Sequence, residues 1–132
     1  MTTPRSLAAL VLARAEASPK YLAYSGTVAV KPAKGYVSLY FGAGSPFGGS
    51  LVGTADRLRW QFRAICVGLG DEDGQDQSLF VASAFRADFL NWRPLGAGPW
   101  LTEAPDDPPL LRDDSVPNDV RYSITLRYRL TT

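Results

Sequence analysis

The sequence predicts an α/β domain of the α+β kind: a small, mostly antiparallel sheet packed by one long and one shorter helix. Three patterns carry that expectation. Leu58, Trp60, Phe62, Ala64 and Cys66 alternate with Arg59, Gln61 and Arg63, and Tyr122, Ile124, Leu126, Tyr128 and Leu130 alternate with Arg121, Ser123, Thr125, Arg127 and Arg129. A period of two belongs to a strand with one apolar and one polar face. Val81, Ala82, Phe85, Phe89 and Trp92 instead recur every three or four residues, which paints a single stripe along a helix. A one-sided sheet and a one-striped helix bury their apolar surfaces against each other.

In chain order, Leu7, Leu10, Val11 and Arg14 predict a first helix over Ser6 to Ala17, with Ser6 as N-cap and Pro19 blocking its extension. Thr27 to Lys31 reads as a short strand ended by Pro32, which lacks the N–H a ladder needs. Tyr36 to Phe41 reads as the next strand, with Val37, Leu39 and Phe41 on one face and Tyr36, Ser38 and Tyr40 on the other. Gly42 to Ser50 has no apolar period and too much glycine for a rigid element, so it reads as an exposed loop. The strand from Leu58 enters the core as it proceeds, because Ile65 and Val67 make its second face apolar as well.

Gly68 to Gly74 reads as a turn, after which Asp73 or Asp76 supplies an acidic start to the long helix. That helix should end near Arg93, ahead of Pro94, Gly96 and Gly98. Trp100 to Asp119, dense in proline and acid, reads as a long surface excursion with one short strand around Leu110 to Arg112. The closing strand must pair with an earlier one, such as Leu58 to Val67. The predicted core is Trp60, Phe62, Phe85, Phe89, Ile124 and Leu126, and burying each of the two helix phenylalanines is worth about 1.5–3 kcal/mol.

A chain of 132 residues is the size of one domain, here spanning residues 1–132. Fourteen basic against 13 acidic residues leave +1, but the halves differ: residues 1–69 hold eight basic and two acidic groups, residues 70–132 six and eleven. Such a chain can associate head to tail. There is no histidine, which removes the commonest neutral-pH acid–base group and transition-metal ligand, and the single Cys66 can form neither an intrachain disulfide nor a thiolate cluster. No stretch of 18 apolar residues is present, and the apolar run from Ser6 is broken by Arg14 and Glu16; the chain is expected to be soluble and not exported by a cleaved signal.

Candidate reaction centres are thin. Asp71, Asp73 and Asp76 come nearest to a metal cluster, but the calcium-loop pattern fails at its glycine and its final glutamate, and turn solvation is the simpler reading. The glycines at 42, 44, 48, 49 and 53 match no phosphate-loop spacing. Ser45, Ser50 and Cys66 lack a histidine base, and Cys66 falls on the apolar side of a strand. The expectation is therefore no enzyme, no catalytic residue, no cofactor and no metal. The polar strand faces gather Arg59, Arg63, Arg121, Arg127 and Arg129, a basic patch if the strands pair, and the acidic excursion carries Asp106, Asp107, Asp113 and Asp114. These arginines and aspartates are the interface candidates. Arginine outnumbers lysine 11 to 3, and its planar fork suits repeated carboxylate pairing at interfaces.

The order of the pieces resembles the tail terminator and tail completion proteins of long-tailed bacteriophages and related phage-like particles. The residues that carry the resemblance are the leading helix Ser6 to Ala17, LRWQFRAICVG at 58–68, AFRADFLNWRPL at 84–95, the acidic loop at 103–119 and RYSITLRYRL at 121–130. The resemblance implies a terminator-like fold of helices on a sheet, and a virion structural protein that forms a ring, commonly of six subunits. Such a ring caps the tail tube, stops its polymerisation and provides the head–tail joining surface. The implied partners are further copies of the chain, the tail tube protein and the head–tail connector; DNA is only cargo in the lumen and no membrane is involved. The implied location is the virion tail, after assembly in the host cytoplasm. Arg59, Arg63, Arg127 and Arg129 would meet neighbours or the lumen, and the loops Gly42 to Thr54 and Thr102 to Asp119 would contact tube or connector. A connector or other minor tail protein is the nearest alternative, ahead of a nucleic-acid-binding module or an enzyme.

Overall fold

The computed structural model describes residues 2–28, 31–48 and 57–132. Two helices lie on one side of an open, mostly antiparallel sheet, in the order α1 (Pro4–Glu16), β1 (Leu22–Ser25), β2 (Tyr36–Phe41), β3 (Ser45–Phe47), β4 (Arg57–Leu69), α2 (Gly74–Phe89), β5 (Thr102–Glu103), β6 (Leu111–Asp113) and β7 (Arg121–Thr131). The strands run β1-β2-β4-β7-β5 across the sheet; β3 also pairs with β4, and β6 with β7. Among the described residues only β1 and β2 pair in parallel.

The long pair β4–β7 is the axis of the molecule, in register from Arg59 opposite Thr131 to Leu69 opposite Arg121. Alternation then assigns every side chain to a face. Trp60, Phe62, Ala64 and Cys66 of β4 and Ile124, Leu126, Tyr128 and Leu130 of β7 point inward, join Phe85 and Phe89 of α2 and Leu7 and Val11 of α1, and form one buried cluster. Within it Phe85 stacks on Phe89 at 4.3 Å and Phe62 on Tyr128 at 5.2 Å between ring centroids. The six residues expected in the core are all buried.

Local chemistry sets the element ends. Helix α1 starts three residues earlier than the spacing predicts: Thr3, not Ser6, is the N-cap, and the two exchange hydrogen bonds, Ser6 N–H to Thr3 Oγ1 at 3.1 Å and Thr3 N–H to Ser6 Oγ at 3.0 Å. Pro4 tolerates the first helical position because no intrahelical partner awaits its missing N–H. Helix α2 ends at Phe89, not near Arg93, because Leu90 is extended and Asn91 takes φ 54°. Trp92, expected on the helix stripe, follows this reversal and is only half-buried. Asp73 is the N-cap residue of α2 but makes no side-chain capping bond, while Asp76 lies in the first turn. The helix presses on β4 because Gly68 carries no side chain: a Cβ there would sit 1.9 Å from the Gly74 carbonyl oxygen.

The strand expected over Thr27 to Lys31 is not found at Thr27 and Val28; Ala29 and Val30 lie outside the described residues. The chain instead pairs Leu22–Ser25 with β2, and Gly26, at φ 77°, turns it away. Ser38 fixes that turn by donating its hydroxyl to the Gly26 carbonyl at 2.7 Å. Within the expected loop Gly42 to Ser50, Ser45–Phe47 form a strand beside Arg57–Arg59, with Gly49 and Ser50 outside the described residues. Thus β2 and β3 flank the same edge of β4, separated by the Gly42-Ala43-Gly44 bend, where Gly42 N–H still reaches the Gln61 carbonyl at 2.9 Å.

The free edge of β7 is covered by an interrupted strand. Thr102 and Glu103 pair with Arg129 and Tyr128, Leu111–Asp113 pair with Ser123–Arg121, and residues 105–110 depart from the ladder between them. The short strand expected around Leu110 is therefore Leu111–Asp113, and Thr102–Glu103 adds a pairing the composition conceals. Pro105, Pro108 and Pro109, with Asp106 and Asp107, make a poor template for a further strand.

Candidate interface: an arginine face and an acidic edge

The helices cover only the inner face, and the outer face is where the polar alternation collects. Arg63 lies directly opposite Arg127, and Gln61 opposite Arg129; Arg59 is two residues along from Gln61 on the same side. Opposed residues in such a pair hold their Cβ atoms about 4.5–5.5 Å apart, where like charges destabilise. Arg59, Arg63, Arg127 and Arg129 are all exposed. Among the described residues no carboxylate lies within ion-pair distance of any of the four.

Aromatic rings hold two of these guanidinium groups. Arg59 stacks on Phe47 at 4.1 Å, with Arg57 on the same ring at 4.8 Å, and Arg63 on Tyr40 at 5.2 Å. A stacked guanidinium keeps its N–H edges available for an oxyanion. Beside them a groove of about 640 Å³ runs between the Gly42–Ser45 bend and β7, lined by Arg59, Gln61, Arg129 and Thr131 among others and, among the described residues, by no acidic side chain. Phe47, Tyr40 and Arg57 were not singled out by sequence. Arg57 sits one position before the expected strand start at Leu58, and the parity of Arg59 and Arg63 extended backwards finds it.

Arg121 shares the face but not the environment. At the far end of β7 it donates from Nη1 to the Tyr36 hydroxyl at 2.6 Å and from Nη2 to Asp119 Oδ2 at 3.0 Å. Lys31 reaches the other oxygen of Asp119 at 3.0 Å, which ties the β1–β2 connection across the sheet. Hydrogen bonds from Arg121 and Lys31 hold the Asp119 carboxyl below the usual carboxylate range.

The acidic candidates lie along the covered edge and do not touch the four open arginines. Asp113 accepts from the Ser115 hydroxyl at 2.7 Å and the Ser115 N–H at 3.0 Å, which lowers its pKa. Asp114 pairs with Arg112 at 2.6 Å, and the same Arg112 reaches Asp71 at 3.1 Å. Asp106 and Asp107 are exposed in the proline-rich departure between β5 and β6. Folding interleaves the uneven sequence halves, since Arg127 and Arg129 come from the acidic half, but the strand pair still carries open arginines near Arg59 and Arg129 and bonded acids near Leu69 and Arg121, about 33 Å apart.

The other candidates separate cleanly. Asp71 is engaged by Arg112, and among the described residues no three histidine, cysteine or acidic side chains are grouped to hold a metal. Cys66 is buried, and burial pushes its thiol pKa well up, so it keeps its proton. Ser45 is exposed on β3, and Ser50 lies outside the described residues. Among the described residues no helix is long and apolar enough to cross a membrane. No known protein family and no curated protein matches the chain.

Proposed function

We propose that this chain is a structural subunit of a phage tail or phage-like particle: it forms a ring that caps the tail tube, stops its polymerisation and offers the head connector a joining surface. The observation that carries this reading is that one small domain exposes two unlike surfaces, the outer face of its sheet and the solvent flank of a helix on the other side. The outer side presents the four arginines. The helix side presents Leu79 and Phe80, both about half exposed, on the solvent flank of α2, with Leu90 beyond its end. A partner that covers these side chains gains by taking their apolar surface out of water. An apolar flank that packs on a different part of the next copy makes a heterologous contact, and such contacts close into rings when the rotation per subunit divides a full turn. In this reading the fold is terminator-like, successive copies meet through the apolar flank of α2, and the arginine side turns toward the opening. The work is geometric, and it needs neither turnover nor a cofactor.

Solution mass by light scattering, across concentration and salt, tests the assembly step. A ring-sized species is expected, and Leu79→Ser/Phe80→Ser should return it to monomer without unfolding it. In particles lacking the protein, tails of irregular length are expected. A chain that stays monomeric alone and in the presence of tube protein overturns the reading.

A further inference from the structure

We infer that the open arginine face is a binding surface for the phosphate backbone of a nucleic acid. The location of this surface inside a ring rests on the proposed function; the binding itself does not. Six arginines share one face: Arg121 is bonded to Asp119, Arg57 donates to the Thr132 backbone oxygen at 3.0 Å, and the other four, two of them directly opposed, are given no counter-charge by the described residues. A sheet gains nothing from that arrangement by itself, because opposed like charges oppose pairing. An external anion removes the penalty.

The chain's own acids are poor candidates for that anion. Asp71 and Asp114 are bonded to Arg112, Asp119 to Arg121 and Lys31, Glu103 to Arg86, and Asp113 to Ser115. Among the described acids of that edge Asp106 and Asp107 alone make no such bond, so a neighbour docking by its acidic edge would bring two adjacent carboxylates to four arginines or would have to give up bonds it already makes. The geometry of the arginines also selects against a compact ion. Arg127 and Arg129 are spaced about 7 Å along one strand, and Arg59 and Arg63 about 13 Å along the next, a line of charge rather than a nest. An added peptide strand is excluded at the arginines themselves, because β4 is flanked by β2 and β3 on one side and by β7 on the other. Recognition must come from side chains alone, and a polymer with charge repeating along its backbone fits that requirement. Stacking on Phe47 and Tyr40 fixes Arg59 and Arg63 beforehand, and Gln61 and Thr131 add neutral hydrogen-bonding groups in the adjoining groove. A basic track beside aromatic rings is the composition of sequence-tolerant nucleic-acid grooves.

Fluorescence anisotropy with dye-labelled DNA oligonucleotides, single- and double-stranded, tests this on the full chain. Affinity should fall with salt, with a log–log slope of about −2.8 for single strands or −3.6 for duplex if all four arginines contact phosphate. The variant R59Q/R63Q/R127Q/R129Q should bind at least about tenfold more weakly with a slope near zero, while R112Q leaves binding unchanged. Should the fourfold variant fail to fold by circular dichroism, R127Q/R129Q should halve the slope. No binding at low salt, full binding by the fourfold variant, or equal affinity for polyglutamate overturns the inference; the last result would make an acidic protein segment the ligand. Light scattering on the same samples separates the two proposals: rings that ignore DNA defeat this one alone, and DNA-binding monomers defeat only the ring.

Discussion

Arg121 and Arg129 stand on the same strand and the same face, eight residues apart, and the molecule treats them in opposite ways. At the Arg121 end the outer face is closed. Tyr36, Ser38 and Val67 are buried there, and Arg121, Asp119, Lys31 and the Tyr36 hydroxyl form one bonded group. At the Arg129 end the face is open among the described residues, whose rings its arginines lie on and whose acids do not reach them. Parity along a strand decides which face a side chain takes. Whether that side chain becomes a fixture or a free recognition group depends on what the rest of the chain lays over it, here the β1–β2 connection at one end only.

The inner face underlies both ends, so a substitution there should cost most and should not distinguish them. Phe85 is fully buried between Tyr21, Phe89 and Tyr128. Phe85→Ala should lose about 3–5 kcal/mol in urea denaturation, with a single transition by tyrosine and tryptophan signals alike. Two separated transitions would show that the ends are not built on a common core. Next in size is Tyr36→Phe, which removes the acceptor for Arg121 at the closed end alone. A loss of about 1 kcal/mol is expected, with faster amide exchange in the residues that follow Gly26. No change in either measurement would mean that the closed end is not held by this bond.

The closed end should also answer to acid, where the open one does not. Asp119 titrates below its unfolded value, chiefly because Arg121 and Lys31 bond to its charged form. Its contribution to stability is therefore complete above the unfolded aspartate pKa of about 3.9 and is lost as pH falls through the lower folded value. Urea midpoints followed downward from neutral pH should decline less steeply in Asp119→Asn than in the parent. Parallel profiles would remove Asp119 from the account. Asp113, lowered by its bonds from Ser115, titrates in the same window and remains in both proteins.

The long strands and the α2 stripe were legible because period two and period 3.6 are local properties, and the paired face of β4 and β7 follows from them directly. The rest depended on partners far away in the chain. Thr3 and Ser6 are both competent caps, and only the exchange of bonds between them settles where α1 begins. Leu22–Ser25 lacks the β-branched run that favours Thr27 to Lys31, and becomes a strand because β2 offers it a parallel edge. The arginines of the candidate site were individually visible. Their division into bonded Arg121 and four open neighbours was not, since it follows from Asp119 and Lys31 meeting over the sheet.

The smallest expected effect is the sharpest test of the contrast, because its sign differs from that of the closed end. Arg127 is exposed, opposes Arg63, and makes no ion pair among the described residues. Threonine suits a strand at least as well as arginine does. Arg127→Thr should therefore leave stability unchanged or raise it by up to about 0.5 kcal/mol, and the gain should shrink as salt screens Arg63 from Arg127 in the parent. A salt-independent loss of about 1 kcal/mol, the size expected for Tyr36→Phe, would mean that Arg127 is a structural fixture like Arg121. The open end would then be held together by its arginines, and there would be no reason to look for an anion outside the chain.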